Sequence, residues 1–206
     1  MKIEASGLGK KFIREWIFRK LDASFETGIP TAITGPNGSG KSTLIQLLSG
    51  FKLPTEGEVT FSKNGKAITV EEIFSYMDIA TPYMELIEEF TLKEFLDFHF
   101  KFKQLKAGFS LQTFLEKVYL ADNHNKQIKH FSSGMKQRLK LGLAFFSTSD
   151  ICFLDEPTSN LDQKGTDWYL ENVQACIDSK VLIICSNQPH EYDFCPNKLY
   201  IPDFKQ

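Results

Sequence analysis

The chain has 206 residues, 42% of them hydrophobic and 24% charged, with a formal net charge of -2. That length supports one substantial core with room for a small subdomain, excludes two full domains of typical size, and the near-neutral charge argues against a broad nucleic-acid footprint. No window approaches the roughly 18 consecutive apolar residues of a membrane span, and the N-terminal residues lack a signal-peptide pattern.

In chain order, Lys2 to Ala5, Trp16 to Phe25 and Ile29 to Thr34 read as strands. The third leads into Gly35-Pro36-Asn37-Gly38-Ser39-Gly40-Lys41-Ser42, which matches G-x-x-x-x-G-K-[ST]. Glycines let the backbone N–H groups converge on anionic oxygens, and the helix predicted from Lys41 to about Leu48, with Thr43 in its first turn, aims its positive end at them. Lys41 would reach the β- and γ-phosphates of a nucleoside triphosphate, and the Ser42 hydroxyl would ligate Mg²⁺. Glu58 to Ser62, the turn Asn64-Gly65 and Ala67 to Val70 predict a hairpin.

From Thr91 to Phe131 the pattern turns helical, with Phe95, Phe98 and Phe102 on one apolar face and Leu111, Phe114, Leu115 and Val118 on a second. This stretch, about 91–147, is the expected helical subdomain, with 1–90 and 148–206 as the core. Ser132 and Ser133 open a helix predicted to run to about Phe146. Ile151 to Leu154 and Val181 to Cys185 are short and continuously apolar, as in a parallel sheet covered on both faces. The first of these ends in Asp155-Glu156, at the carboxyl edge where ligands bind such sheets. Neighbouring strand residues face opposite sides, so Asp155 is expected to hold the metal or its water while Glu156 orients or deprotonates an attacking water. Cys152, Cys176, Cys185 and Cys195 form no Cys-x-x-Cys pair, which points to small buried thiols in a reduced setting.

Taken together and in this order, these segments resemble the ATP-binding subunit of an ATP-binding cassette (ABC) transporter over nearly the whole chain. Gly35 to Ser42 resembles that family's Walker A motif, Phe131 to Met135 its signature, Leu154 to Pro157 its Walker B with the catalytic glutamate, and Ser159-Asn160-Leu161-Asp162 its D-loop. Phe12 occupies roughly the place of the aromatic that stacks on adenine, and Pro54 to Gly57 and Phe90 to Glu94 fall where the family has similar stretches. The resemblance implies an α/β, P-loop NTPase core with a parallel central sheet, an N-terminal antiparallel β subdomain and a helical signature subdomain. It also implies ATP and Mg²⁺, with a head-to-tail dimer whose ATP lies between Walker A of one subunit and the signature (Ser132, Ser133, Gly134, Met135) of the other. The partners implied are a separate transmembrane permease and a second copy or related ATPase, with no nucleic acid, at the cytoplasmic face of the membrane. The Pro82 to Phe102 stretch is the expected docking surface, because Phe90 and Phe100 add aromatic area beyond the face that Phe95, Phe98 and Phe102 fill.

Three of the family's motifs depart from the usual pattern. Ser133 and Met135 stand where the signature has Gly and Gln, Thr81 or a neighbour stands where the Q-loop Gln is expected, and Ser186-Asn187 replaces the switch His. Asn187 can hydrogen-bond but carries no proton at neutral pH, and His190 lies three residues on. Slow hydrolysis is the expectation. A nucleotide-gated scaffold with little turnover and a soluble, non-transport ABC ATPase stay open as alternatives.

Overall fold

The computed structural model describes residues 1–205. Two sheets organise them. One is antiparallel, in the order β2 (Glu15–Glu26), β1 (Lys2–Phe12), β4 (Glu56–Lys63), β5 (Lys66–Ile68). The other is parallel throughout, in the order β6 (Met77–Ala80), β7 (Ile151–Asp155), β8 (Val181–Cys185), β3 (Thr31–Thr34), β9 (Asn197–Tyr200). Six α-helices complete the architecture: α1 (Lys41–Leu48), α2 (Val70–Ile73), α3 (Leu92–His99), α4 (Leu111–Lys117), α5 (Ser133–Phe146) and α6 (Gln163–Gln174). This is the α/β P-loop NTPase arrangement.

Both faces of the parallel sheet are buried, and the two-residue period of its strands sorts their side chains between two cores. Ile33, Ile151, Phe153, Val181 and Ile183 point into one core, where Leu44, Leu47 and Leu48 of α1 meet Ile3, Phe18 and Phe25 of the antiparallel sheet. Ala32, Cys152, Leu154, Leu182 and Ile184 point into the other, against α5, α6, Phe114 and Val118. That double coverage is why β7 and β8 are apolar at every position.

The structure departs from the predicted elements at several places, each with a local cause. β1 continues past Ala5 to Phe12 because irregularities between Ala5 and Lys11 keep it paired with β2 while breaking the alternation that would have announced it. β3 starts at Thr31, Ile29 making only an isolated bridge to Glu26. The hairpin strand stops at Ile68 because Thr69 caps α2: its N–H and hydroxyl donate to the Glu72 carboxylate at 3.1 and 3.0 Å. The apolar face of α3 is Leu92, Phe95 and Leu96. The helix ends at Phe100, so Phe102 leaves the predicted face and is 71% exposed, with Phe98 also exposed. Phe90 and Phe100, expected as the surplus aromatics, instead pack on the core.

A buried polar cluster joins β6 to the turn after α5. Asp78 accepts from the hydroxyls of Ser147 and Ser149 and lies 3.7 Å from the Lys103 ammonium and 3.9 Å from that of Lys180. Lys180, 1% exposed, donates to the Ser149 hydroxyl at 2.7 Å and to the Ser147 carbonyl at 3.1 Å. Burial pushes its pKa down, opposed by Cys152 and Asp78. All four cysteines are free and buried, and desolvation raises their thiol pKa values, that of Cys195 to about 12. Among the described residues no helix is long and apolar enough to cross a membrane.

Candidate nucleotide-binding site

The loop between β3 and α1 owes its shape to backbone that side chains disfavour. Gly35, Gly38 and Gly40 have φ of 142°, 76° and 111°. A Cβ on Gly40 would lie 2.4 Å from Ile17 Cγ2, so β2 packs directly beneath the start of α1. Gly40 caps α1 without a side-chain hydrogen bond, which leaves the first-turn N–H groups free for an anion. The Lys41 ammonium is folded back onto the loop, donating to the carbonyls of Gly35 at 2.9 Å and Pro36 at 3.2 Å. The Ser39 hydroxyl is buried without a partner among the described residues. The loop is thus a cradle of donors around a cleft of about 380 Å³ lined by Asn37, Gly38, Gly40, Lys41, Ser42, Thr43 and Glu156.

Two lining residues were not foreseen. Ile17 and Tyr83 border this cleft, and neither belongs to a motif with a recognisable spacing. Tyr83 also borders an adjoining cleft with Ser42, Gln46, Thr81, Met84 and Asp155.

Asp155 ends β7 and is buried. Burial pushes its carboxyl pKa up, the Ser42 hydroxyl opposes that, and the Glu156 charge adds to it. Its Oδ2 atom has no hydrogen-bond partner among the described residues. A buried carboxylate oxygen left bare beside a hydroxyl fits a divalent cation, which takes oxygen ligands of this kind. Glu156 does not take its direction from strand alternation as expected. It has left the strand with φ 45°, and its N–H donates to the Cys185 carbonyl at 2.9 Å. This left-handed backbone is costly for a residue with a Cβ, and Glu156 borders the phosphate-loop cleft.

The Asn187 amide, just past β8, donates to the Asn37 side-chain carbonyl at 3.1 Å. Ser132 caps α5, its hydroxyl accepting from the Met135 N–H at 3.2 Å, and both Ser132 and Ser133 are exposed. None of Ser132, Ser133, Gly134 and Met135 lines either cleft. Gly134 instead packs on the Asn160 carbonyl, which a Cβ there would approach to 3.0 Å.

The sequence model described as "ABC transporter" matches residues 18–159, more than half of the chain. The chain belongs to the ABC transporter family.

Among ABC relatives, the chain is 32% identical over 164 residues to YybJ, an uncharacterised ABC transporter ATP-binding protein of Bacillus subtilis, covering 79% of this chain and 74% of that one. It is 28% identical over 186 residues to CcmA, a cytochrome c biogenesis ATP-binding export protein of Brucella abortus, covering 90% and 85%. An ATP-binding protein of an ABC transporter from Pyrococcus furiosus superposes with a TM-score of 0.82 at 19% identity, each chain fully covered, which speaks to the fold. ABC proteins bind ATP.

Two residues singled out in the sequence lie apart from the clefts. Phe12 lies outside the two clefts, at the β1–β2 turn, its ring flanked by the Lys10 and Lys52 ammoniums at 5.3 and 5.2 Å. His190 is exposed, with Nε2 3.2 Å from the Thr158 hydroxyl. Its neighbour Glu191, absent from the sequence-based site, is 0% exposed and accepts from the Thr158 N–H at 2.7 Å and from its hydroxyl.

Proposed function

We propose that this chain is the ATP-hydrolysing subunit of an ABC transporter, working as a head-to-tail dimer beneath a separate transmembrane permease at the cytoplasmic face of the membrane. The observation that carries this is the meeting, in one cleft, of the uncapped start of α1, Lys41 and the Glu156 carboxylate, with the bare oxygen of Asp155 beside Ser42 next to it.

In this reading the Lys41 ammonium exchanges its two carbonyl partners for phosphate oxygens, and the N–H groups of residues 38 to 43 share the remaining charge. Ser42 and Asp155 would hold Mg²⁺, which would supply positive charge to offset that on the phosphates. Glu156 orients the attacking water and accepts its proton. The Asn187 amide steadies the loop through Asn37 and takes no proton. Phe12, with its face bracketed by two lysines, is the surface for the adenine ring.

The signature lies outside the clefts of its own chain, and its exposed hydroxyls and the start of α5 are free to meet the phosphates bound by a second subunit. The segment 91–147 would move as a helical subdomain as that dimer closes. For the permease, the surface proposed is the exposed apolar set Phe74, Tyr83, Ile87, Phe98 and Phe102, since patches of this kind mark interfaces.

Asn187 also favours a second reading, a scaffold that dimerises on ATP with little turnover. Steady-state hydrolysis with Mg²⁺, beside Glu156→Gln and with light scattering on both, decides. The first reading expects turnover that disappears in the variant as an ATP-bound dimer accumulates. ATP-dependent dimers with no wild-type turnover, permease included, would establish the scaffold instead.

A further inference from the structure

The α5 helix sends two polar side chains, one turn apart, onto the two loops that border the clefts. Gln137 Nε2 donates to the Pro157 carbonyl at 2.8 Å, in the turn after β7. Lys140 Nζ donates to the carbonyls of Thr81 at 3.1 Å and Pro82 at 3.2 Å, in the turn after β6. The Thr81 carbonyl also accepts the Met84 N–H at 3.2 Å, so the ammonium caps a turn whose Thr81, Tyr83 and Met84 line the cleft with Ser42 and Asp155.

Lys140 is an unusual residue for its place. It is 8% exposed, flanked on α5 by the buried Leu139, Leu141 and Leu143, and it forms no ion pair among the described residues. Burial, with help from Lys136, lowers its pKa. Burying an ammonium without a counter-charge is unfavourable, so packing alone would favour an apolar side chain at this position.

We propose that Lys140 is a positioning residue: it ties the Thr81–Met84 turn to the signature helix, so that movement of α5 is delivered to Tyr83 and Met84 beside Ser42 and Asp155. This stands at the position where the sequence lacks the Q-loop Gln, and it rests on the ATP-hydrolysing reading above. The link runs through backbone carbonyls, which is why no side chain at position 81 is needed for it.

The test compares the wild type with Lys140→Met and Lys140→Arg by ATP affinity, kcat, melting temperature and amide hydrogen exchange with and without ATP. The Met variant should keep ATP affinity within about threefold and melt no lower than the wild type, because an unpaired buried charge is gone. Its kcat should fall about tenfold through lost positioning, and exchange at residues 81–86 should stop responding to ATP while residues 35–43 stay protected. Lys140→Arg should recover at least about a third of kcat, since a guanidinium can still donate to both carbonyls. Unchanged kcat with an intact ATP response at 81–86, or a loss of kcat that merely follows lost affinity or stability, would overturn the proposal. A wild type that binds ATP without turnover would sink the hydrolysis reading alone, and the exchange comparison would still decide on Lys140.

Discussion

The Asn187 side chain, at the end of β8, donates to Asn37 in the phosphate loop at 3.1 Å. It joins two segments 150 residues apart by a neutral hydrogen bond that no change of pH near neutrality can make or break. Replacing it by a residue that titrates should therefore add a pH dependence that the wild type lacks. Asn187→His is expected to raise kcat by about tenfold or more and to introduce a limb near pH 6.5. A pH–rate profile of both proteins checks this, and superimposable profiles would refute it.

Glu191 is the second anchor of this region. Removing its carboxylate strands the buried Thr158 N–H and leaves the Thr158 hydroxyl with His190 alone. Glu191→Ala should cost about 2–4 kcal/mol, whereas Glu191→Gln, which keeps a carbonyl acceptor, should cost under about 1 kcal/mol. Urea titrations of the two variants give the comparison, and equal losses would show that the contact to Thr158 is not what matters.

The cluster around Asp78 makes a prediction with a sign in pH. The folded-state pKa of Lys180 lies below its ordinary 10.5, so just below pH 10.5 the unfolded chain binds more protons at this residue than the native one. The stability contributed by Lys180 therefore grows as pH rises through that window. Lys180→Met should cost about 3 kcal/mol at neutral pH by leaving Asp78 with fewer partners, and the deficit should widen as the solution becomes alkaline. A gap that narrows with rising pH would contradict the assignment.

The exposed end of α3 tests the docking surface. Phe102→Ser should leave ATP hydrolysis by the isolated protein within about twofold, because exposed positions distant from special features are nearly neutral. It should also weaken retention of the chain on a co-expressed permease purified by its own tag. Full retention would remove this face from the proposed interface.

Much of this was legible in the sequence because the physics there is local. The phosphate loop is specified by glycines at fixed steps, β7 and β8 by unbroken apolar runs, and α5 by Ser132 at its start. What stayed hidden was set by contacts between distant segments. Ile17 and Tyr83 reach the cleft only through the packing of β2 and of the turn after β6, and no spacing announces either. Glu191 reads as an ordinary surface acid until the fold buries it against Thr158. Glu156 was expected to follow strand alternation, but β7 ends at Asp155 and Glu156 takes left-handed backbone. Phe98 and Phe102 fit a helical face on paper, but the helix ends before the second of them.

The order of strands in the parallel sheet has a consequence for how the protein is made. β3, which delivers the phosphate loop, lies between β8 and β9, and the Thr34 hydroxyl donates to the carbonyl of Leu199, 165 residues later. At a synthesis rate of roughly 5–20 residues per second, the ribosome needs about 8–33 s after β3 to supply its last neighbour. Until β8 is made, the nascent chain carries a glycine-rich loop whose strand has neither of its sheet neighbours. The capacity to grip a nucleotide therefore waits on strands synthesised long after the loop itself, and a chain arrested before Val181 would carry its most recognisable motif intact in sequence with neither β8 nor β9 beside it.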